Sequence, residues 1–307
     1  MYTRMLIPLD GSKLAENVLP YARTLARALD LRIELLSVVD TMDFARTANA
    51  GHLRDFNPII EAAAQAAGKY LEGVARSFTA TTVENCIVEQ GQAGQIIIEK
   101  ATRDKETLIA MATRGRSGIH RWLMGSVAEK VLRGATNPLL LVRGNEEGKS
   151  DGAATLKSIV VPLDGSTLAE SVLPRAMELA KKLGLAIVLT RAYQIPLSAP
   201  YAGVEAAYIP NQDALLNLMR EEAGAYLEEK VSELHQNGVE NVSCIVFVGS
   251  GADEIIELAR STPDNLIAMC THGRSGVKRW ALGSVTEKVV RHSGDPVLIV
   301  RAERKEC

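Results

Sequence analysis

The stretch Ala112-Thr-Arg-Gly115-Arg-Ser-Gly118, followed six residues later by Gly125-Ser126-Val127-Ala-Glu129-Lys-Val, has the composition of a phosphate-binding turn. Its glycines let the backbone take positive φ or approach a ligand closely. Ser126 stands where a helix would begin, so bare N–H groups and the positive end of a helix dipole would face an anion. The stretch recurs as Cys270-Thr-His-Gly273-Arg-Ser-Gly276, then Gly283-Ser284-Val285-Thr-Glu287-Lys-Val. Thirteen of the nineteen positions from Gly115 to Arg133 are identical in Gly273 to Arg291. Ser126-Val-Ala-Glu129 and Ser284-Val-Thr-Glu287 also fit the S-x-x-E capping box. Capping and phosphate binding are compatible at one helix start, and the preceding glycines favour the second. Arg114, Arg116, His272 and Arg274 stand where cations could offset a polyphosphate, although loop cations are more often simply solvated.

Asp10 and Asp164 each follow the first apolar run of a repeat, within Asp-Gly-Ser. Such a carboxylate lies at the carboxyl edge of a parallel sheet, where ligands bind; it also suits an Asx-turn that caps the next helix. Spacing alone leaves both open. The chain has no G-x-x-x-x-G-K-[ST] and no G-x-G-x-x-G after its first strand, and neither a G-x-S-x-G elbow nor H-E-x-x-H. P-loop, standard dinucleotide and common hydrolase chemistries are therefore not indicated. The five histidines show no repeated ligand spacing, and no general base stands out.

The elements that must position these residues alternate between short apolar runs and amphipathic stretches. Residues 4 to 9 read as a strand, Lys13 to Leu29 as a helix, Ile33 to Val39 as a strand and Ile59 to Ser77 as a long helix. Val83 to Val88 is a third strand, Gln95 to Thr102 a helix, Leu108 to Ala112 a strand, Ser126 to Gly134 a helix and Pro138 to Val142 a last strand. The pattern then restarts: Pro162 to Pro174 repeats Pro8 to Pro20 with eleven of thirteen identities. Strand–helix alternation implies parallel β-α-β units with helices on both faces. The division expected is 1–145, a polar, glycine-rich linker 146–156, and 157–307. A looser region from Asp40 to about Pro58 follows the second strand, and the longest difference between the copies lies there: the second copy carries an irregular stretch from Gln194 to Pro210 that reads either as a lid over the ligand crevice or as a surface insertion.

At 307 residues, about two domains of roughly 150 residues are expected. With 47% hydrophobic and 23% charged residues the composition is that of a soluble globular protein. A formal charge of −2 makes the chain no electrostatic trap for nucleic acid or an anionic membrane. The N-terminal residues lack a secretory apolar stretch and no apolar run reaches spanning length, so a cytoplasmic location is expected. Of the four cysteines none forms a CxxC pair; Cys86 and Cys244, in matching apolar runs, read as small core hydrophobes.

Both halves resemble the universal stress protein domain. The resemblance rests on Pro8-Leu-Asp10-Gly-Ser12 and Pro162-Leu-Asp164-Gly-Ser166, on the G-x2-G-x9-G-[ST] signature, on the following Val-x-Glu-Lys-Val, and on the final strand ending Val-Arg. It implies two Rossmann-like α/β domains, each a five-stranded parallel sheet flanked by helices, paired as a pseudo-twofold intramolecular dimer through Leu139 to Val142 and Val297 to Val300. It also implies binding of an adenine nucleotide, ATP or AMP, with Mg²⁺ a companion of ATP that no carboxylate cluster demands. Pro8, Asp10 and Val38, with Pro162, Asp164 and Ala192, would lie at the adenosine end. Gly115, Gly118, Gly125, Ser126 and Val127, with Gly273, Gly276, Gly283, Ser284 and Val285, would line ribose and phosphates. The first signature glycine is replaced by Ala112 and Cys270. A positive φ there would cost on the order of 1 kcal/mol; close approach alone would be easier for Ala than for Cys, favouring the first site. The function implied is a stress-response sensor or regulator with little or no catalysis. The alternative is a scaffold with degenerate sites that acts through protein contacts; beside the internal pairing, a homodimer is a further partner to be considered under either reading.

Overall fold

In the computed structural model the described residues are 2–40, 56–114, 124–144, 151–194, 212–271 and 282–301. The first half runs β1 (Arg4–Pro8), α1 (Lys13–Glu16), α2 (Leu19–Leu29), β2 (Arg32–Val39), α3 (Phe56–Ala75), β3 (Val83–Gln90), α4 (Ala93–Thr102), β4 (Thr107–Ala112), α5 (Ser126–Gly134) and β5 (Leu139–Val142). The second runs β6 (Ser158–Pro162), α6 (Thr167–Glu170), α7 (Leu173–Leu183), β7 (Ala186–Tyr193), α8 (Gln212–Gln236), β8 (Val242–Val248), α9 (Gly251–Ser261), β9 (Asn265–Cys270), α10 (Ser284–His292) and β10 (Val297–Val300). Each element of the first half thus answers to the one numbered five higher.

One ten-stranded sheet carries both halves, in the order β3-β2-β1-β4-β5-β10-β9-β6-β7-β8. Within each half every pairing is parallel; the halves meet where β5 and β10 pair antiparallel, Leu140 opposite Leu298. This is the pseudo-twofold pairing of final strands that the family resemblance implies. It removes two unpaired edges whose side chains are buried. Alternation along the strands divides the core into two layers. Met5, Ile7, Leu108, Ala110, Leu140 and Leu298 face one side with α2 and α7. Leu6, Ile109, Met111, Leu141, Val297 and Ile299 face the other with α5 and α10. Both layers run through the seam, so burial holds the halves together on each face, at about 1.5–3 kcal/mol for each large aliphatic side chain.

Three expectations differ locally. The helix expected over Lys13 to Leu29 is two helices, because Pro20 enters in the first turn of α2 and lacks the N–H that a continuous helix needs. The second half breaks the same way at Pro174. Cys86 is exposed and Cys244 half-buried, since β3 and β8 are the outermost strands of the sheet. Part of the expected linker is tied down: Ala154 donates to the Pro20 carbonyl (3.0 Å) and accepts from the Thr24 hydroxyl (2.8 Å).

Candidate functional site

In each half the order of strands reverses between β1 and β4, or β6 and β9. These neighbours pair in register, Leu6 with Ile109 and Val160 with Ile267, so their carboxyl ends lie side by side. That is the switch point at which open α/β sheets bind ligands.

One wall of the crevice is the turn after β1. The Asp10 carboxylate accepts from the Ser12 N–H (2.9 Å) and hydroxyl (2.6 Å), while Ser12 Oγ accepts from the Ala15 N–H (3.1 Å) and caps α1. The turn needs φ of 78° at Gly11, which only glycine adopts without strain. Asp164, Gly165 (φ 83°) and Ser166 reproduce it, with distances of 2.9, 2.6 and 3.1 Å. Each Asp therefore forms the Asx-turn, one of the two uses that its spacing left open. Pro8 and Pro162 end their strands, and Val38 and Ala192 stand one residue before the ends of β2 and β7.

The opposite wall is the end of β4 and the start of α5. Thr113 donates to the Val142 carbonyl (2.8 Å) and accepts from the Gly125 N–H (2.8 Å), which clamps the helix start onto the sheet. Gly125 is the N-cap, in extended conformation (φ −63°, ψ 147°), and has no side chain to cap the helix; none does so among the described residues. The capping boxes expected at Ser126 and Ser284 are therefore not formed. Each serine is the first helical residue rather than the cap, and Glu129 and Glu287 turn to arginines instead. Intrahelical bonding begins with Glu129 N–H to Gly125 O (2.9 Å), which leaves the N–H groups of Ser126, Val127 and Ala128 without partners inside the helix. The second half is superimposable in its bonds. Thr271 donates to Val300 O (3.2 Å), Gly283 to Thr271 O (2.8 Å) and Glu287 to Gly283 O (2.9 Å), with Gly283 at φ −62°. Neither Gly125 nor Gly283 needs positive φ. A Cβ on Gly125 would stand 3.4 Å from the Thr113 carbonyl, at ordinary van der Waals contact, so the backbone there has room for a side chain.

Ala112 and Cys270 are the last residues of their strands, both buried, and neither has positive φ. The strain that a side chain would meet in a left-handed backbone does not arise. The two differ in their surroundings. Ser171 Oγ lies 3.4 Å from Cys270 Sγ, and Thr286 Oγ1 donates to the Cys270 carbonyl at 3.0 Å. In the first half Asn17 and Ala128 take the places of Ser171 and Thr286, and Asn17 turns back onto Lys13 O (2.9 Å) and Leu14 O (3.2 Å). Gly115, Gly118, Gly273 and Gly276, the loop cations Arg116, His272 and Arg274, and residues 195–210 of the lid-like loop lie outside the described residues.

Contacts not foreseen from sequence, two of them made by the glutamates read there as capping residues, link α5 and α10. Glu129 and Arg133 on α5 face Glu287 and Arg291 on α10 across the seam. Arg133 Nη2 reaches Glu287 at 3.1 Å and Arg291 Nη2 reaches Glu129 at 3.3 Å, while each arginine also pairs with the glutamate of its own helix. Arg301, just past β10, donates to the Leu132 carbonyl in the last turn of α5. Its Nε is buried without a hydrogen-bond partner among the described residues, and burial pushes its pKa down to about 10. The sequence signal was present: Glu and Arg recur four residues apart in both copies, and an arginine follows both final strands.

The universal stress protein family model matches residues 1–143 and again 155–301. Universal stress protein MJ0531 of Methanocaldococcus jannaschii is 30% identical over 156 residues, 51% of this chain and 88% of that protein. A universal stress protein of Mycobacterium bovis is 24% identical over 195 residues, 63% of this chain and 61% of its own length. Among solved structures, a universal stress protein from Archaeoglobus fulgidus superposes with a TM-score of 0.66 at 23% identity, covering 97% of this chain and 98% of that one. With two family matches spanning nearly all of its length, and a structure whose halves mirror each other about one sheet, this chain belongs to the universal stress protein family as a tandem member.

Proposed function

We propose that the chain is an adenine-nucleotide-responsive regulator of the stress response, and that its crevices hold ATP or AMP. In this reading Pro8, Asp10 and Val38, and their counterparts Pro162, Asp164 and Ala192, border the adenosine. Phosphates lie against Gly125, Ser126 and Val127, or Gly283, Ser284 and Val285. The observation that carries it is a helix start whose N-cap is a glycine, with no side-chain cap among the described residues, twice, at a switch point of the sheet. An uncapped N-terminus offers several N–H donors and the positive dipole end to an anion. Nucleotide-binding units of 1–145 and 157–307 joined by 146–156 fit this reading. Because Ala112 leaves more room than Cys270, the first site is the tighter one.

Calorimetry with ATP and AMP on wild type, Gly125→Asp and Gly283→Asp tests it. An aspartate at these N-caps can itself accept from the first-turn N–H groups, so each variant stays folded while its site loses anion affinity. The expected result is loss of the tighter phase in Gly125→Asp and of the weaker one in Gly283→Asp. If wild type binds neither nucleotide at millimolar concentration, the reading is wrong and a scaffold acting through protein contacts replaces it.

A further inference from the structure

A continuous set of hydrogen bonds leads from the second crevice to the helix that opens the first. Gly283, the N-cap of α10, donates to Thr271 O; Thr271 donates to Val300 O; and the next residue, Arg301, donates through its guanidinium to the Leu132 carbonyl. Leu132 lies six residues beyond Ser126 on α5, about 9 Å along one rigid helix. A cation at a helix C-terminus interacts favourably with the helix dipole and with its unsatisfied carbonyls. The antiparallel seam makes this reach possible, because Ile299 pairs with Leu139 and β10 therefore ends beside the residues that follow α5.

Arg301 is costly to keep for stability alone. Burying a guanidinium with one donor unmatched among the described residues is unfavourable, and a neutral side chain of similar size avoids that cost. Its neighbours in the chain make it suited to another task. Thr271 and Val300 fix the start of the second crevice's helix, and Arg301 fixes the end of the first crevice's helix.

We propose that Arg301 is a positioning residue that couples the two crevices, so that filling the second tightens the first. This rests on the nucleotide reading above. A phosphate against α10 steadies Gly283, Thr271 and the end of β10. Arg301 is then held more firmly on Leu132, and α5 presents its first-turn N–H groups to the first ligand with less freedom left to lose.

The test is a cycle of four proteins in ATP calorimetry: wild type, Gly283→Leu, Arg301→Met, and the double variant. Leucine at 283 fills the second crevice without supplying an anion. In wild type, blocking that crevice should weaken the first site about fivefold or more. In Arg301→Met the first site should already be weaker, and Gly283→Leu should weaken it no further. Arg301→Lys, which keeps a donor for Leu132, should recover part of the coupling. The melting temperature of Arg301→Met should stay at the wild-type value or rise, which a purely structural role for the arginine would not give. Equal weakening by Gly283→Leu with arginine or methionine at 301 overturns the coupling and leaves nucleotide binding intact. Absence of any ATP binding removes both.

Discussion

The two crevices share a frame and differ in their floors. Backbone bonds make the frame: Thr to the last strand, Gly to Thr, and Glu to Gly agree between the halves to within a few tenths of an ångström. Side chains make the floor, and there bulk has moved. The first half has Ala112 at the strand end and the larger Asn17 on the helix after the Asx-turn; the second has Cys270 and the smaller Ser171, with a Thr286 hydroxyl tying the strand end to α10. A duplicated fold can thus hold the backbone of its crevice constant while one copy alters the side chains beside it. The difference leaves the architecture unchanged.

The largest effect expected from this comparison is on binding. Gly125→Asp should lower first-site affinity by about 100-fold or more, since its carboxylate takes up the first-turn N–H donors and sets a negative charge where phosphate oxygens would sit. Thermal stability should be unchanged or slightly raised, because Asp is a marginally better N-cap than Gly. Loss of binding together with a large fall in melting temperature would instead mean that the glycine serves the fold. A smaller effect should follow from exchanging the floors. Cys270→Ala should tighten the second site by up to about tenfold and Ala112→Cys should loosen the first by a similar factor, the usual scale for about one heavy atom in a pocket wall. If titrations of both variants match wild type, the strand-end residue does not set the difference between sites.

Much of this arrangement was readable from local pattern. The alternation of strands and helices, the whole-domain repeat, and the glycine-serine helix starts are written in runs of fewer than twenty residues. The features that were misread depend on distant residues. Ser126-x-x-Glu129 looks like a capping box, but Gly125 is clamped to Thr113, twelve residues back, and that bond makes Ser126 the first helical residue instead of the cap. Glu129 finds its cross-seam partner 162 residues away. The runs around Cys86 and Cys244 read as strands of the core, yet β3 and β8 are outermost in the sheet, and Glu84, Asn85, Glu89 and Gln90 mark β3 as one that meets solvent, with Cys86 exposed. Strand rank is set by crossover topology, which hydrophobic periodicity does not encode. Pro20, by contrast, stood in plain view as a helix-starting residue inside an otherwise periodic stretch.

The smallest effects expected lie at the ion pairs between α5 and α10, where the halves are again alike but not equal. Arg133 and Arg291 occupy equivalent positions, yet the Arg291 side chain is 23% exposed and that of Arg133 45%. Arg291 also holds Glu287 through both Nε (3.2 Å) and Nη2 (2.9 Å) while reaching Glu129. Less solvent and more bonds both strengthen an ion pair, although exposed pairs contribute little in any case. Arg291→Ala should therefore cost about 1 kcal/mol and Arg133→Ala a few tenths, read as midpoint shifts in urea unfolding. Raising ionic strength from 0.1 to 1 M shortens the screening length from about 10 to about 3 Å, so the gap between the variants should narrow. A gap that persists at high salt would assign it to packing of the Arg291 stem against the seam, and the four charges would then be a consequence of the halves meeting there rather than a contributor to it.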